Sequence, residues 1–515
     1  MTSTNEAGPQ GKVTLPRIRL DRTLSDLYRQ TCPSLSDTRI GFIFCGASCT
    51  TELSADFPRN KKYIYQDGTF NDVARAEKPD SLVRRTLAPK YLCLVPQRDA
   101  FITGREPVIF FYSGRSSVEI EHDEAEAERT LSVLDESQRA EAIFCPGPGH
   151  VSRVCADHGI GVIGAKLVVD CIADPSEGVA RPTRMLTDPD TFFFLNGKEA
   201  LAKSGLPTPE AEVVEVQGWC PGAANCCEEC VRSLIEEDVP ETCTGPRGRW
   251  IGEQTVRILA AIERHPLPFV FKNQQAFAGA GTYVVTTGPR RNQLLEDLTQ
   301  GGILRRLLGR ITKDNEHLRA GSMLLMTMVI DAVNDYGLTF FVGEDGSPTF
   351  LAMSEQMIDR ASSAWTGSKI SYPHQANLQR KFGDVMHQTA KWLHQHGYFG
   401  PAGADILETQ NGEFYIVDLN VRTSGSLCLP LLQTHFTSRG FQCASSISAT
   451  VRKSRDEFCE QWRGELESGQ LCIVAWYEDK NAGLSYGDVV VGAEDEEHLT
   501  EMLSKIRSST EQVTF

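Results

Sequence analysis

The sequence has no stretch of about eighteen uninterrupted apolar residues, the length expected of a membrane helix. Residues 1–20 are polar, with Gly and Pro, and lack the apolar core of a secretory leader. A cytoplasmic location is therefore expected, with no membrane partner. Basic residues are also in deficit. There are 52 Lys and Arg against 68 Asp and Glu, for a formal net charge of −16. Non-specific nucleic-acid binding needs basic surface to neutralise phosphates, so a nucleic-acid partner is not expected. A local basic cleft for a small anion remains compatible with that balance. No Gly-x-Gly-x-x-Gly follows the first strand-like run at 39–44, which argues against a dinucleotide-binding oxidoreductase. Internal repeats and low-complexity tracts are absent as well.

Cysteine, by contrast, is plentiful at 16 residues. Cys45 and Cys93 lie inside apolar runs, where Cys behaves as a small core hydrophobe. Reduced thiols are expected rather than a disulfide framework. Five cysteines, Cys220, Cys226, Cys227, Cys230 and Cys243, fall in a Glu-, Gly- and Pro-rich break at 217–250, which reads as an insertion. Cys227 and Cys230 have the two-residue spacing of a zinc knuckle, but no second such pair follows. Loop thiols without metal are the expectation there.

At 515 residues the chain is too long for one ordinary core. Residues 1–35 read as a flexible tail. From 36 to 190 apolar runs alternate with helical patterns, predicting a parallel α/β domain with strands at 39–44, 90–95, 107–112 and 142–145, then a short run at 161–164. A second unit spans 191–445. It opens with a helix at 196–204, capped by Asn196 and stopped before Gly205. It continues through a strand–loop–strand at 268–285, an apolar strand at 322–331, a hairpin turning at 344–347 and an amphipathic helix at 378–394. A second hairpin turns at Asn411-Gly412, a strong hairpin signal between alternating strands. Residues 446–515 read as a small closing α+β unit.

The most informative segment is that second hairpin. Asp418, Asn420 and Arg422 alternate along one strand and so share a face, while Asp405 on the partner strand can point the same way. Two carboxylates and an amide oxygen are hard ligands suited to Mg²⁺ held together with phosphates, and Arg422 adds a cation beside them. The plainer alternative is a solvated hairpin face, which the apolar run Phe414-Tyr-Ile-Val417 argues against. In the segment 268–285, Lys272 ends a strand. Gly279, Gly281 and Thr282 follow in a small-residue loop whose amides can approach phosphate oxygens. Alone, a plain Gly-Ala hairpin explains that segment equally well, and Lys198 alone reads as a solvated lysine.

Taken in order, these segments resemble the ATP-grasp superfamily, over about 191–435. The segment Asn196-Gly-Lys198 through Pro209 is similar to that family's opening element, and Lys272 with Gly279, Gly281 and Thr282 to its second lysine and phosphate-covering loop. The α/β unit before them resembles a pre-grasp domain. The resemblance implies a multidomain α/β and α+β protein, with a two-lobed ATP-grasp fold after the pre-grasp domain. It further implies that ATP and Mg²⁺ are used. Lys198 and Lys272 would lie on the phosphates, and backbone groups at Met326 and Met328 beside adenine. Asp405, Asp418 and Asn420 would hold the metal, and Arg422 would stabilise the transferring phosphoryl group. Asn420-Val-Arg422-Thr-Ser-Gly425 is similar to the peptide-forming amino-acid ligases of natural-product pathways. The implied reaction activates a small-molecule carboxylate, an amino acid or related acid, as an acyl phosphate and joins it to an amine, with ADP and phosphate released. A non-amine acceptor and a non-catalytic nucleotide-binding module are the alternatives. By analogy with such ligases, a homodimer is expected.

Overall fold

The fold comes from a computed structural model, which describes residues 13–45, 57–66, 90–173, 184–232, 239–275, 281–300, 302–358, 365–480 and 482–510. The apolar runs near the start form a parallel sheet of β1 (Ile40–Ile43), β2 (Pro107–Phe111), β3 (Glu141–Cys145), β4 (Val162–Ala165) and β5 (Arg184–Met185). Their order is β3-β2-β1-β4-β5, with every neighbouring pair parallel. All residues of β1 and β2 are buried, so these strands read as unbroken apolar runs rather than as alternation.

Two expectations for this region are corrected. The run at 90–95 is no strand: it is helical and leads into the helix Val95–Thr103. Of that helix only Arg98 escapes full burial, and a segment buried all round carries no period to tell helix from strand. The supposed tail over 1–35 contains the helix Leu24–Thr31, whose start is a reciprocal cap. The Thr23 hydroxyl accepts from the Asp26 amide and the Asp26 carboxylate accepts from the Thr23 amide. Leu24, Leu27 and Tyr28 are buried, and Tyr28 meets Phe341 edge-on with ring centroids 4.9 Å apart. Three apolar residues in one short polar stretch make a weak sequence signal, yet they suffice once a core receives them.

Two antiparallel sheets carry the rest. The smaller is built of β6 (Ala211–Val214), β7 (Phe269–Asn273), β8 (Thr282–Val285) and β9 (Met323–Thr327), in the order β6-β9-β7-β8. Among the described residues the larger has eight strands. They are β10 (Ala332–Val342), β11 (Pro348–Ile358), β12 (Trp365–Ser371), β13 (Gly400–Thr409), β14 (Phe414–Asn420), β15 (Cys443–Val451), β16 (Leu471–Asp479) and β17 (Leu484–Ala493). Their order is β14-β13-β10-β11-β12-β15-β17-β16. The hairpins expected around 344–347 and Asn411-Gly412 are β10/β11 and β13/β14, and Gly412 adopts the left-handed conformation its turn needs (φ 79°). The amphipathic helix is Gln375–Gln395, with Phe382, Val385, Met386, Thr389 and Leu393 buried. A separate closing unit from 446 is not what forms. β15 begins at Cys443 and pairs with β12, so the large sheet runs straight through that division.

One apolar core joins both antiparallel sheets, with Phe269, Phe271 and Leu325 against Leu338, Phe340, Ile406 and Ile416. A second joins the parallel sheet to the large one through Phe42, Val108, Phe341 and Ala444. Among the described residues every cysteine is a free thiol, and no helix is long and apolar enough to cross a membrane.

Candidate active site

The site lies on the β14 edge of the large sheet. Asp405 on β13 stands directly opposite Asp418 on β14, and Asn420 stands opposite Gly403. On the other side of β13, β10 places Gly337 beside Asp405, and Asp335, two residues back on β10, shares that face. The glycine at 337 has a steric reason. A Cβ there would lie 2.4 Å from the Gln356 amide nitrogen. Its absence lets Gln356 reach from β11 across β10 and donate to Asp405 Oδ1 at 2.9 Å. Gln356 Oε1 accepts from Trp365 Nε1 at 2.6 Å and Ser368 Oγ at 3.0 Å, which fixes the direction of the amide.

Cations approach this face from the smaller sheet and from the helix Lys198–Ala202. Lys198 Nζ donates to Asp418 Oδ1 at 2.5 Å, and Lys272 Nζ, at the end of β7, donates to the Val417 carbonyl at 2.5 Å. Arg422 Nη1 donates to Asn196 Oδ1 at 3.1 Å. That oxygen also accepts from the Val421 amide at 3.1 Å. Asn196 therefore ties the strand end that carries Arg422 to the helix Pro189–Leu195. It does not cap the helix expected over 196–204, which runs only from Lys198 to Ala202 behind Gly197.

The electrostatics follow from crowding. Burial and the nearby Asp418 and Asp335 carboxylates push Asp405 up to about 7. Burial raises Asp335 to about 6, against the pull of Lys272. Burial also raises Asp418, but Lys198 and Lys272 outweigh it and leave that carboxyl low. Lys272 is lowered by burial and by Lys198, in spite of Asp418. A face with three carboxylates this close resists full ionisation unless a cation joins it. Oxygen donors from Asp405, Asp418 and Asn420 are the hard set that Mg²⁺ takes, so the residues present fit that ion.

Other expected residues fall nearby. Thr282 pairs with Lys272 across β7 and β8. Gly281 has φ 75°, and a Cβ on it would sit 2.4 Å from Asn273 Nδ2, so the turn needs glycine. Gly279 lies outside the described residues. Met326 is buried in β9 and paired on both sides, with Val270 and Ala211. Met328 lies just past the strand end, half-buried.

Asp335 and Gln356 escaped the sequence reading, as did the bracing role of Asn196 and an ion pair behind Arg422. Lys166, directly after β4, donates from Nζ to Asp99 Oδ2 at 2.5 Å, to the Thr423 carbonyl at 3.1 Å and to Thr423 Oγ1 at 3.2 Å. Its side chain is 3% exposed and that of Asp99 1%. Burial lowers Lys166 to about 8, against the attraction of Asp99. An apolar cleft lined by Phe42, Phe44, Met185 and Tyr398 ends at Arg422 and Thr423.

A small antiparallel sheet whose lysine faces the acidic edge of a larger one, behind a parallel α/β domain, defines the class. The chain has an ATP-grasp arrangement of sheets. Within it, residues 252–420 match the family model described as L-aspartate–L-methionine ligase, ATP grasp. That span contains Lys272, Asp335, Asp405, Asp418 and Asn420 but stops short of Lys198 and Arg422 on either side. No curated protein matches the sequence. Among solved structures, N5-carboxyaminoimidazole ribonucleotide synthetase from Thermus thermophilus is similar at 12% identity, with 92% of this chain and 99% of that one covered and a TM-score of 0.47. Carboxyaminoimidazole ribonucleotide synthase from Aspergillus clavatus is similar at 10% identity, covering 92% and 98%, with a TM-score of 0.48. The biotin carboxylase domain of Hydrogenobacter thermophilus 2-oxoglutarate carboxylase is similar at 11% identity, covering 79% and 85%, with a TM-score of 0.43. These likenesses are too distant to transfer chemistry.

Proposed function

We propose that the protein is an ATP-dependent ligase that activates a small-molecule carboxylate as an acyl phosphate and joins it to an amine, releasing ADP and phosphate. The observation that carries the reading is the meeting of Lys198, Lys272 and Arg422 with Asp335, Asp405 and Asp418 on one sheet face. Charge of both signs at one face suits a polyanion that arrives with a divalent cation. Phosphoryl transfer needs positioning and charge neutralisation more than a protein nucleophile.

In this reading Lys198 and Lys272 take the phosphate oxygens of ATP. Asp405, Asp418 and Asn420 would hold Mg²⁺, which would supply further positive charge against the phosphates. An oxygen of the substrate carboxylate attacks the γ-phosphorus, and the bond from that phosphorus to the bridging oxygen breaks, leaving ADP. Arg422 offsets the charge gathering on the transferred group and is itself held by Asn196. The amine then attacks the acyl carbon, phosphate departs with the bonding pair, and the amine proton passes to solvent or phosphate.

The test is product analysis. ATP is expected to give ADP and phosphate only when a suitable acid is present, and the matched family makes L-aspartate and L-methionine the first pair to try. With ¹⁸O in the acid carboxylate, one label should appear in phosphate, and hydroxylamine should trap a hydroxamate. AMP with pyrophosphate, or label in AMP, would rule out the acyl phosphate. Label in phosphate with no amide product would point to a non-amine acceptor.

A further inference from the structure

The expectation of metal-free loop thiols in the insertion rested on the missing second cysteine pair, and the fold supplies what the spacing lacked. Cys226 follows the turn Ala223–Asn225, Cys227 precedes the short helix Glu228–Arg232, Cys230 lies inside it, and Cys243 arrives from the far side of the insertion. Their four sulfur atoms all lie within 4.8 Å of one another. Cys243 Sγ is 3.5 Å from Cys226 Sγ, 3.6 Å from Cys227 Sγ and 3.4 Å from Cys230 Sγ.

Those distances select among the bonding states of a thiol cluster. A disulfide needs about 2.05 Å between sulfurs, so no pair here is oxidised. A tetrahedral tetrathiolate with metal–sulfur bonds of about 2.3 Å has sulfur–sulfur edges of about 3.8 Å, close to the three separations found.

Polar groups and a buried cation also stand around the sulfurs. The backbone amides of Cys227 and Arg247 lie beside Cys226, that of Cys230 beside Cys227, and that of Gly245 beside Cys243. Arg247, 2% exposed, stands beside the thiols of Cys220 and Cys230. Its charge offsets part of the excess of four thiolates over a divalent ion. The 19-residue helix Pro246–Arg264 starts here, with its positive end toward the sulfurs. Two glycines make the approach possible. A Cβ at Gly245 would stand 2.6 Å from Cys226 Sγ, and one at Gly248 would stand 1.8 Å from the Cys243 carbonyl oxygen and 3.2 Å from its Sγ.

We propose that Cys226, Cys227, Cys230 and Cys243 form a structural zinc site that pins the insertion to the lobe carrying Lys272. All four positions come from the protein, which leaves no open coordination site for catalysis and makes the role structural. The pinned segment bears on that lobe directly. The Cys220 amide donates to the Ile311 carbonyl at 2.8 Å, and Arg305 Nη1 donates to the Pro240 carbonyl at 2.9 Å. Zinc rather than a harder cation follows from the all-sulfur donor set. The proposal is independent of the reaction suggested above.

The experiment uses untagged full-length protein from zinc-supplemented culture, purified without chelator. Elemental analysis should find one zinc per chain. Cobalt exchanged into the protein should give the absorption of a tetrahedral thiolate complex. Cys227→Ser and Cys243→Ser should each fall below a tenth of that zinc content, while Cys171→Ser, outside the cluster, keeps it. Should the variants fail to fold, mercurial titration of the parent decides the matter: zinc should be released as four thiols are consumed. Less than a tenth of an equivalent of zinc in the parent, or zinc retained in both cluster variants, would overturn the proposal.

Discussion

Lys198 and Asp418, 220 positions apart in sequence, hold one another at 2.5 Å. Lys198 is nearly buried and Asp418 about a quarter exposed. In the proposed reaction the lysine turns to a phosphate oxygen and the carboxylate to Mg²⁺, so the ion pair marks the site before ligands arrive. Asp418→Asn should weaken magnesium-dependent ATP binding, because a neutral amide replaces a hard anionic ligand. Calorimetric titration with ATP, with and without Mg²⁺, measures this. Unchanged magnesium dependence would make Asp418 a partner of Lys198 and nothing more.

Arg422 makes a different demand. It is proposed to act on the transferring group rather than on bound nucleotide, so substitution should separate turnover from affinity. Arg422→Met is expected to lose about 10²–10³ in turnover, the usual cost of one preorganised charge-stabilising donor, with ATP affinity retained. Turnover within a few-fold of the parent would remove it from the mechanism.

The hairpin that bears Asp405 and Asp418 was legible because its information is local: a two-residue period, an Asn-Gly turn, and polar residues after an apolar run. Lys272 was legible for the same reason. Asp335 was not. Its strand begins in the polar stretch from Ala332, and only pairing with β13 shows that the stretch is a strand at all. The Lys166–Asp99 pair joins residues 67 positions apart, and Asp99 sits in the segment whose even burial hid its helix. Asn196 carries two readings, cap or brace, and only the fold chooses the brace. The thiol cluster likewise depends on a return of the chain that spacing alone does not report.

The Lys166–Asp99 pair is buried deeply enough for its energetics to be asymmetric. Removing one partner leaves an unmatched charge in the interior, at a typical cost of about 3–5 kcal/mol. Replacing both by apolar residues of similar size is often neutral or better. Lys166→Met and Asp99→Leu should each lower the urea midpoint sharply, and the double substitution should recover most of the loss. Because Lys166 also holds Thr423, next to Arg422, the double variant should regain stability but not full turnover. Strictly additive losses would show that the two charges do not depend on one another.

His435 sets a pH response that can be read without any ligand. It is 4% exposed, and its Nε2 lies 2.9 Å from the Gly469 carbonyl oxygen and 3.3 Å from Cys472 Sγ. Burial, helped by nearby Arg439 and only partly countered by the Gly469 carbonyl and Asp21, lowers the imidazole to about 4. A histidine in the unfolded chain titrates near 6.5. Between about 6.5 and 4 the unfolded chain takes up a proton that the folded one refuses, so the contribution of His435 to stability is complete above that window and lost as pH falls through it. His435→Gln keeps a donor for Gly469 but cannot titrate. The stability advantage of the parent over this variant should therefore shrink on going from pH 7 to pH 4.5, by on the order of 2 kcal/mol. Urea melts of both proteins across that range measure the difference, in which contributions shared by the two chains cancel. Parallel stability curves would show that the imidazole stays neutral in the unfolded chain as well, or charged in the folded one, and either result would refute the assignment.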